Sequence, residues 1–306
     1  VAAQDPPTEH PATPPAAAGR PDFGILTLAT PSDAVKAIGL ALSLRVSNPG
    51  VPTAVACSAA VGERLRPYFD QVILEKPGLR GFIHKVHLDD YSPFQTTFFL
   101  DSDMLVFKPI APLVARWCHQ PYAAVGIYCN EGFSSFGLDR ARMLRDIGAA
   151  RFTCIDGAGH ALFVKPGCRE VFDMARDVAA RYREIAGDIR FADEDALNIV
   201  LTRLGLPPML ESGVLARYLS AQPGTLEMDA RHGHCRLVER LDGQVYEPVM
   251  MHFAANEAPW HYHRELWRLF RASGVPVDGL WASFRKDVVD FHVRPALRRL
   301  RRRLRG

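Results

Sequence analysis

The stretch TTFFLDSDMLV, residues 96–106, changes character twice. Thr96 to Leu100 is β-branched, aromatic and aliphatic, the make-up of a strand buried on both faces. Two carboxylates, Asp101 and Asp103, follow with only Ser102 between them, and Met104, Leu105 and Val106 are apolar again. Unpaired charges inside a core are too costly to keep, so the segment implies either a compensating cation or a solvated acidic turn. At the end of a strand, residues i and i+2 point to the same side. Asp101 and Asp103 can therefore converge on one hard cation, Mg²⁺ or Mn²⁺, which oxygen ligands suit. Two carboxylates fill only part of such a shell, and phosphate oxygens of a ligand would complete it.

Working outward, strand-like and helical runs alternate before this point. Residues 22–30 and 51–58 read as strands and 70–76 as a third; 32–48 and 59–69 between them read as helices. In the first helix Val35, Ile38, Ala41, Leu42 and Val46 recur on one face, and Asn48-Pro49-Gly50 stops it. Such alternation argues a parallel, doubly wound α/β sheet, in which ligands bind beyond the carboxyl ends of the strands. Asp101 and Asp103 stand at such an end. Further on, 122–129, 159–166 and 248–253 read as strands and 168–186, 193–205 and 260–274 as helices. The expected organisation is a Pro/Ala-rich disordered leader (1–21), one large domain over 22–274 and a C-terminal basic amphipathic segment (275–306). The large domain divides into a nucleotide-binding half (22–108) and an irregular acceptor-side half (109–274).

The chain has 306 residues, 48% of them hydrophobic, ample for one large core. No apolar run is long enough to span a membrane. The six cysteines show no zinc-type spacing and fit a reducing cytoplasm. Residues 294–306 hold seven arginines and no acid, so removing them from the net +3 leaves a body of −4. Leu297, Leu300 and Leu304 fall at i, i+3 and i+7 among those arginines, a basic amphipathic helix. Three readings stand: docking on an anionic membrane surface, a solvated basic end, or nonspecific nucleic-acid binding. No feature indicates a specific nucleic acid.

Other residues join the two carboxylates. His252 ends an apolar run and can be a third metal ligand, or a satisfied core histidine. His261, His263 and Arg264 could bring positive charge to an anionic ligand, or form a solvated helix face. Asp193-Glu194-Asp195 opens a helix, where the dipole alone favours acids.

FFLDSDMLV resembles the DxD strand of metal-dependent GT-A glycosyltransferases, and most that of glycosyltransferase family 8, the glycogenin and galactosyltransferase type. Four further stretches fall in the family's order: 27–45, Lys85 sixteen residues before Asp101, DEDALN (193–198) against the family's DQDxLN, and HFAANEAPW (252–260) against HxxGxxKPW. The resemblance covers residues 23–260. It implies a GT-A, Rossmann-like mixed sheet flanked by helices, and transfer of a sugar from a nucleotide-diphospho-sugar, a UDP-sugar, with retention, onto a glycan or lipid-linked acceptor. Asp101, Asp103 and His252 would ligate Mn²⁺ (or Mg²⁺). Thr27, Ala29, Thr30, Lys85, Ser102 and the three ligands would bind the donor, with Asp101 also near the ribose. Asp193 would hydrogen-bond the transferred sugar, and Glu194 and Asp195 join it as catalytic candidates. The sequence departs from the family at Val35 (a base-stacking Tyr), Ala255 (Gly), Ala258 (Lys) and Glu194 (Gln). A carboxylate at 194 could attack an anomeric carbon or stabilise an oxocarbenium-like centre. From the cysteines and the basic end, rather than from the resemblance, the expected place is the cytoplasm, peripheral on the inner membrane face. Two alternatives are a nucleotidyltransferase, which lacks a Gly-rich phosphate loop here, and an inactive nucleotide-sugar-binding protein.

Overall fold

The apolar runs expected as strands form β1 (Gly24–Ala29), β2 (Thr53–Cys57), β3 (Gln71–Leu74) and β4 (Thr96–Leu100), all parallel, in the order β3-β2-β1-β4. The structure, a computed structural model, describes residues 22–253 and 258–303. The leader (1–21) and Ala255 lie outside them, as do the side chains of Leu300 and Leu304. After β4 come β5 (Met104–Val106), β6 (Tyr122–Ala123), β7 (Gly126–Tyr128), β8 (Thr153–Ile155) and β9 (His160–Val164). Strand β9 runs antiparallel between β4 and β6, making the six-stranded sheet mixed. The order reverses between β1 and β4, so the crevice for a ligand opens at their carboxyl ends.

The second half adds β10 (Leu215–Arg217), the meander β11 (Glu227–Asp229), β12 (His234–Val238) and β13 (Val245–Tyr246), and β14 (Met250–His252). Strand β14 lies between β10 and β5, parallel to the first and antiparallel to the second. A strand from each half of the chain thus builds one small sheet over the crevice.

Several expectations shift. The helix Ala34–Ser47 is buried almost all round rather than on one face, and Val46 is exposed. Its outer side is covered by β5 and by the helix Pro259–Ala272. Gly39 permits this approach, since a Cβ there would stand 2.1 Å from Leu266 Cδ2. The run 122–129 is not one strand. It leaves the main sheet after Ala123, where the Val125 N–H turns to His160 Nε2 (2.9 Å), and β7 then pairs with β8. Gly126 admits that pairing, because a Cβ would be 2.2 Å from the Cys154 carbonyl oxygen. The 168–186 helix breaks at Arg181 into Arg169–Ala180 and Tyr182–Ala186. The basic end is helical over Arg294–Arg303 and continues from the helix Leu280–Val288. No helix of the described residues is long and apolar enough to cross a membrane.

Candidate active site

Strand β4 ends at Leu100, and the chain turns at once: the Met104 N–H donates to the Asp101 carbonyl (3.1 Å). This turn, rather than strand alternation, sets the two carboxylates side by side. The Asp101 N–H donates to the Gly159 carbonyl (2.7 Å), extending the β4–β9 ladder by one residue. His252 comes from the other direction. The β14–β5 register sets it opposite Met104, and the Phe253 N–H donates to the Asp103 carbonyl (3.1 Å).

His252 Nε2 lies 3.2 Å from Asp103 Oδ1 and 3.7 Å from Asp101 Oδ2. One ligand atom from each of the three residues falls within 4.8 Å of the others. An octahedral ion with bonds of about 2.1 Å holds adjacent ligand atoms roughly 3 Å apart, so this set fits neighbouring vertices of a single hard cation. His252 Nδ1 is buried with no hydrogen-bond partner in the described residues. Gly159 makes the packing possible, since a Cβ would sit 2.7 Å from His252 Cε1 and 3.0 Å from Asp101 Oδ2.

Lys85, on the 3₁₀ turn Gly81–His87, stands behind this group. Its Nζ donates to Asp101 Oδ2 (2.7 Å) and the Ala158 carbonyl (3.0 Å) and pairs with Asp193 Oδ2 (3.1 Å). Burial alone would lower the Lys85 pKa, but Asp101 and Asp193 outweigh it and hold the ammonium charged. Burial raises Asp101, and repulsion from Asp103 adds to that against the pull of Lys85. For Asp103, burial is outweighed by His252, then Lys36 and Lys85, and the carboxyl sits far below its usual range. His252 is raised because the two carboxylates overcome its burial. Below them, His160 is pushed down to about 3 by burial and by His252, Arg217 and Lys85, and is neutral.

A cavity of about 490 Å³ opens beside the cluster, lined among others by Glu194, Arg217, Asp156, Arg140 and Cys154. Burial, then repulsion from Asp195, pushes the Glu194 carboxyl up to about 7 against the attraction of Arg217. Arg217 pairs with Asp156 (2.9 Å) and stands beside His252 in the β10–β14 register. Its guanidinium passes over Gly157, where a Cβ would meet Nη2 at 2.8 Å. A larger cavity, about 900 Å³, is lined by residues 48–53 and 67–71 at the amino-terminal ends of β2 and β3, away from the cluster.

No family model matches the sequence, and no curated protein does. Solved structures do match in fold. The galactosyltransferase LgtC in complex with donor and acceptor sugar analogues aligns with a TM-score of 0.51 at 17% identity, over 82% of this chain and 94% of that one. An active-site mutant of LgtC gives 0.56 at 18% identity, over 85% and 99%. The apo bifunctional glycosyltransferase WbbM gives 0.53 at 11%, over 85% of this chain and 53% of its own length. The fold is that of the GT-A glycosyltransferases. These neighbours are of the family 8 type that the motifs resemble.

On the GT-A frame, Lys85, Asp101, Asp103, Asp193 and His252 come together, and Ser102 lies within the turn, its carbonyl accepting from the Tyr262 hydroxyl (3.5 Å). Thr27 and Ala29 are buried within β1; of the three β1-end candidates only Thr30 is exposed, its hydroxyl bonded to Ser32 (2.9 Å) and Asp33. Asp195 faces the other way, accepting from the Ser134 and Tyr182 hydroxyls at 3.0 Å each. Nor does the Pro259–Ala272 helix supply the cation missing at Ala258. His263 is buried against the Pro259 carbonyl (2.9 Å) and Ser283 (3.1 Å), its pKa driven to about 4 by burial. Burial also lowers His261, and Arg264 lies on the exposed face beside Glu265 (3.8 Å). Arg217 and His160 carry no sequence signal, because neither sits in a motif. Each reaches the site through strand pairing alone.

Proposed function

We propose that this chain transfers a sugar from a nucleotide-diphospho-sugar to a glycan or lipid-linked acceptor. The observation that carries the reading is the convergence of Asp101, Asp103 and His252 at the carboxyl edge of the β1–β4 switch point, backed by the Lys85–Asp193 pair. The three ligands would hold Mn²⁺ or Mg²⁺. Such an ion bound to the donor diphosphate supplies Lewis-acid stabilisation of the leaving group's charge without proton transfer. Lys85 adds fixed positive charge in a site shielded from water and keeps Asp193 oriented toward the transferred sugar. Glu194 lines the cavity beside the cluster, by which the acceptor would enter. Its carboxylate is a candidate for stabilising the anomeric centre in a retaining transfer. Asp195 acts as a positioning residue, tying the 193–203 helix to Ser134 and Tyr182.

The test is calorimetric titration of UDP, GDP and their sugar conjugates with and without Mn²⁺, on the wild type and Asp103→Ala. Binding that requires both the metal and Asp103, followed by donor turnover with an acceptor, supports the transferase. Binding without turnover would mark an inactive nucleotide-sugar-binding protein. Binding indifferent to Mn²⁺ and Asp103 would remove the proposal's chemical centre.

A further inference from the structure

Three of the chain's four tryptophans are exposed, and all three lie between residues 260 and 281: Trp260 (56%), Trp267 (50%) and Trp281 (72%). Apolar surface of this size, gathered in one place, marks an interaction site. On the helix Pro259–Ala272, Trp260, Arg264, Trp267 and Arg271 recur at i, i+4, i+7 and i+11 and are all exposed, while Tyr262, Leu266, Leu269 and Phe270 are buried behind them. Trp260 meets Phe284 (6.3 Å between centroids) and His292 (5.3 Å), and Trp281 meets Phe284 (5.4 Å). The rings of successive helices therefore form one patch. Phe291, Val293 and Leu297 continue it, each more than 40% exposed, into the arginines of the helix Arg294–Arg303.

Tryptophan and phenylalanine interleaved with arginine suit one environment above others, the headgroup layer of an anionic bilayer. A polynucleotide would use the arginines and leave Val293 and Leu297 without a role. A symmetric second copy would set like charges against each other. The patch is also fixed to the candidate active site. Behind it, Tyr262 stacks on Phe253 (4.6 Å), and Lys36 on the helix Ala34–Ser47 pairs with buried Asp287 (3.1 Å) on Leu280–Val288.

We propose that the exposed face of residues 260–301 seats on an anionic lipid bilayer and holds the crevice at the lipid surface. Its purpose, presentation of a lipid-linked acceptor, rests on the transferase reading, whereas the docking does not. The test is co-sedimentation of the full chain with vesicles of equal phosphatidylglycerol and phosphatidylcholine, against phosphatidylcholine alone and duplex DNA. Binding confined to the anionic vesicles is expected, with a blue shift of tryptophan emission and release in high salt. Arg298→Ala with Arg299→Ala should weaken it about 30-fold at low salt. Trp267→Ala with Trp281→Ala should weaken it and abolish most of the blue shift, with the melting temperature unchanged. Absence of vesicle binding overturns the proposal. So does equal binding to DNA without a blue shift, or a dimer that the tryptophan variants dissociate. Asp103→Ala should bind vesicles like the wild type, so docking and transferase readings can fail separately.

Discussion

Gly159→Ala tests whether His252 and Asp101 act as joint ligands. The backbone of Gly159 is not in the left-handed region, so alanine meets no conformational penalty there. The added methyl would stand 2.7 Å from His252 Cε1, 3.1 Å from its Nδ1 and 3.0 Å from Asp101 Oδ2. Carbon atoms in contact settle at about 3.5–4.0 Å, so the imidazole must retreat by roughly 1 Å. The ring cannot do so freely, because it is buried and β14 is paired on both sides. Overpacking of this kind costs about 1–3 kcal/mol of stability. The larger effect falls on the metal, since changes that merely reorient ligands cost about 10- to 100-fold in affinity. Calorimetric titration of Mn²⁺ in the presence of UDP measures it, with thermal unfolding alongside to record the stability term. Affinity within twofold of the wild type, in a protein that remains folded, would refute the assignment of His252 and Asp101 to one ion.

The Lys85→Met variant leaves Asp101 and Asp193 without their shared cation, and breaking a buried pair costs about 3–5 kcal/mol. Urea unfolding in metal-free buffer should show that loss; a change below about 1 kcal/mol would mean the two carboxylates do not depend on Lys85. Glu194 has its folded pKa raised from 4.5 to about 7, so the folded state binds the extra proton. The associated stability is complete below pH 4.5 and is lost as pH rises through 7, by about 3 kcal/mol in all. Glu194→Gln should flatten the wild type's decline in melting temperature over that window, and parallel pH profiles would show that Glu194 titrates normally. Asp195→Ala strands the Ser134 and Tyr182 hydroxyls and should cost about 1–3 kcal/mol with donor affinity kept. Asp193→Ala should lower donor affinity instead, and the reverse pattern in titration and unfolding would exchange their roles.

Much of the frame was legible because its signals are local. The run Thr96–Leu100 is a strand with the bounds its composition suggests, and the alternation over 22–76 becomes the parallel half of the sheet. Asp101, Asp103, Lys85, Asp193 and His252 were each named from motifs, and they meet. A residue's face does not follow from its own element alone. Helical period puts Val46 on the buried side, but the helix is enclosed by β5 and a late helix, and Val46 is exposed near its carboxyl end. Asp195 shares a motif with Asp193, yet helical geometry points neighbours two apart to different sides, and Tyr182 and Ser134 take it up. His261, His263 and Arg264 bring no charge to the site, since burial lowers the pKa of both histidines and the helix turns Arg264 outward to solvent.

The sequence by itself determined the alternating strands and helices of residues 24–100, the carboxylate pair at a strand end and the order of the motif residues, because propensity and periodicity act over a few residues. Only the tertiary structure decided which side chains share one volume. His252 is 149 positions from Asp103 and reaches it through the antiparallel pairing of β14 with β5. Arg217 reaches the cavity through the parallel pairing of β10 with β14. The separation of Glu194 from Asp195, and the neutrality of His160, follow from burial and from charges brought in by other elements. These are non-local quantities: they depend on what packs against a residue, which no window of sequence around it contains.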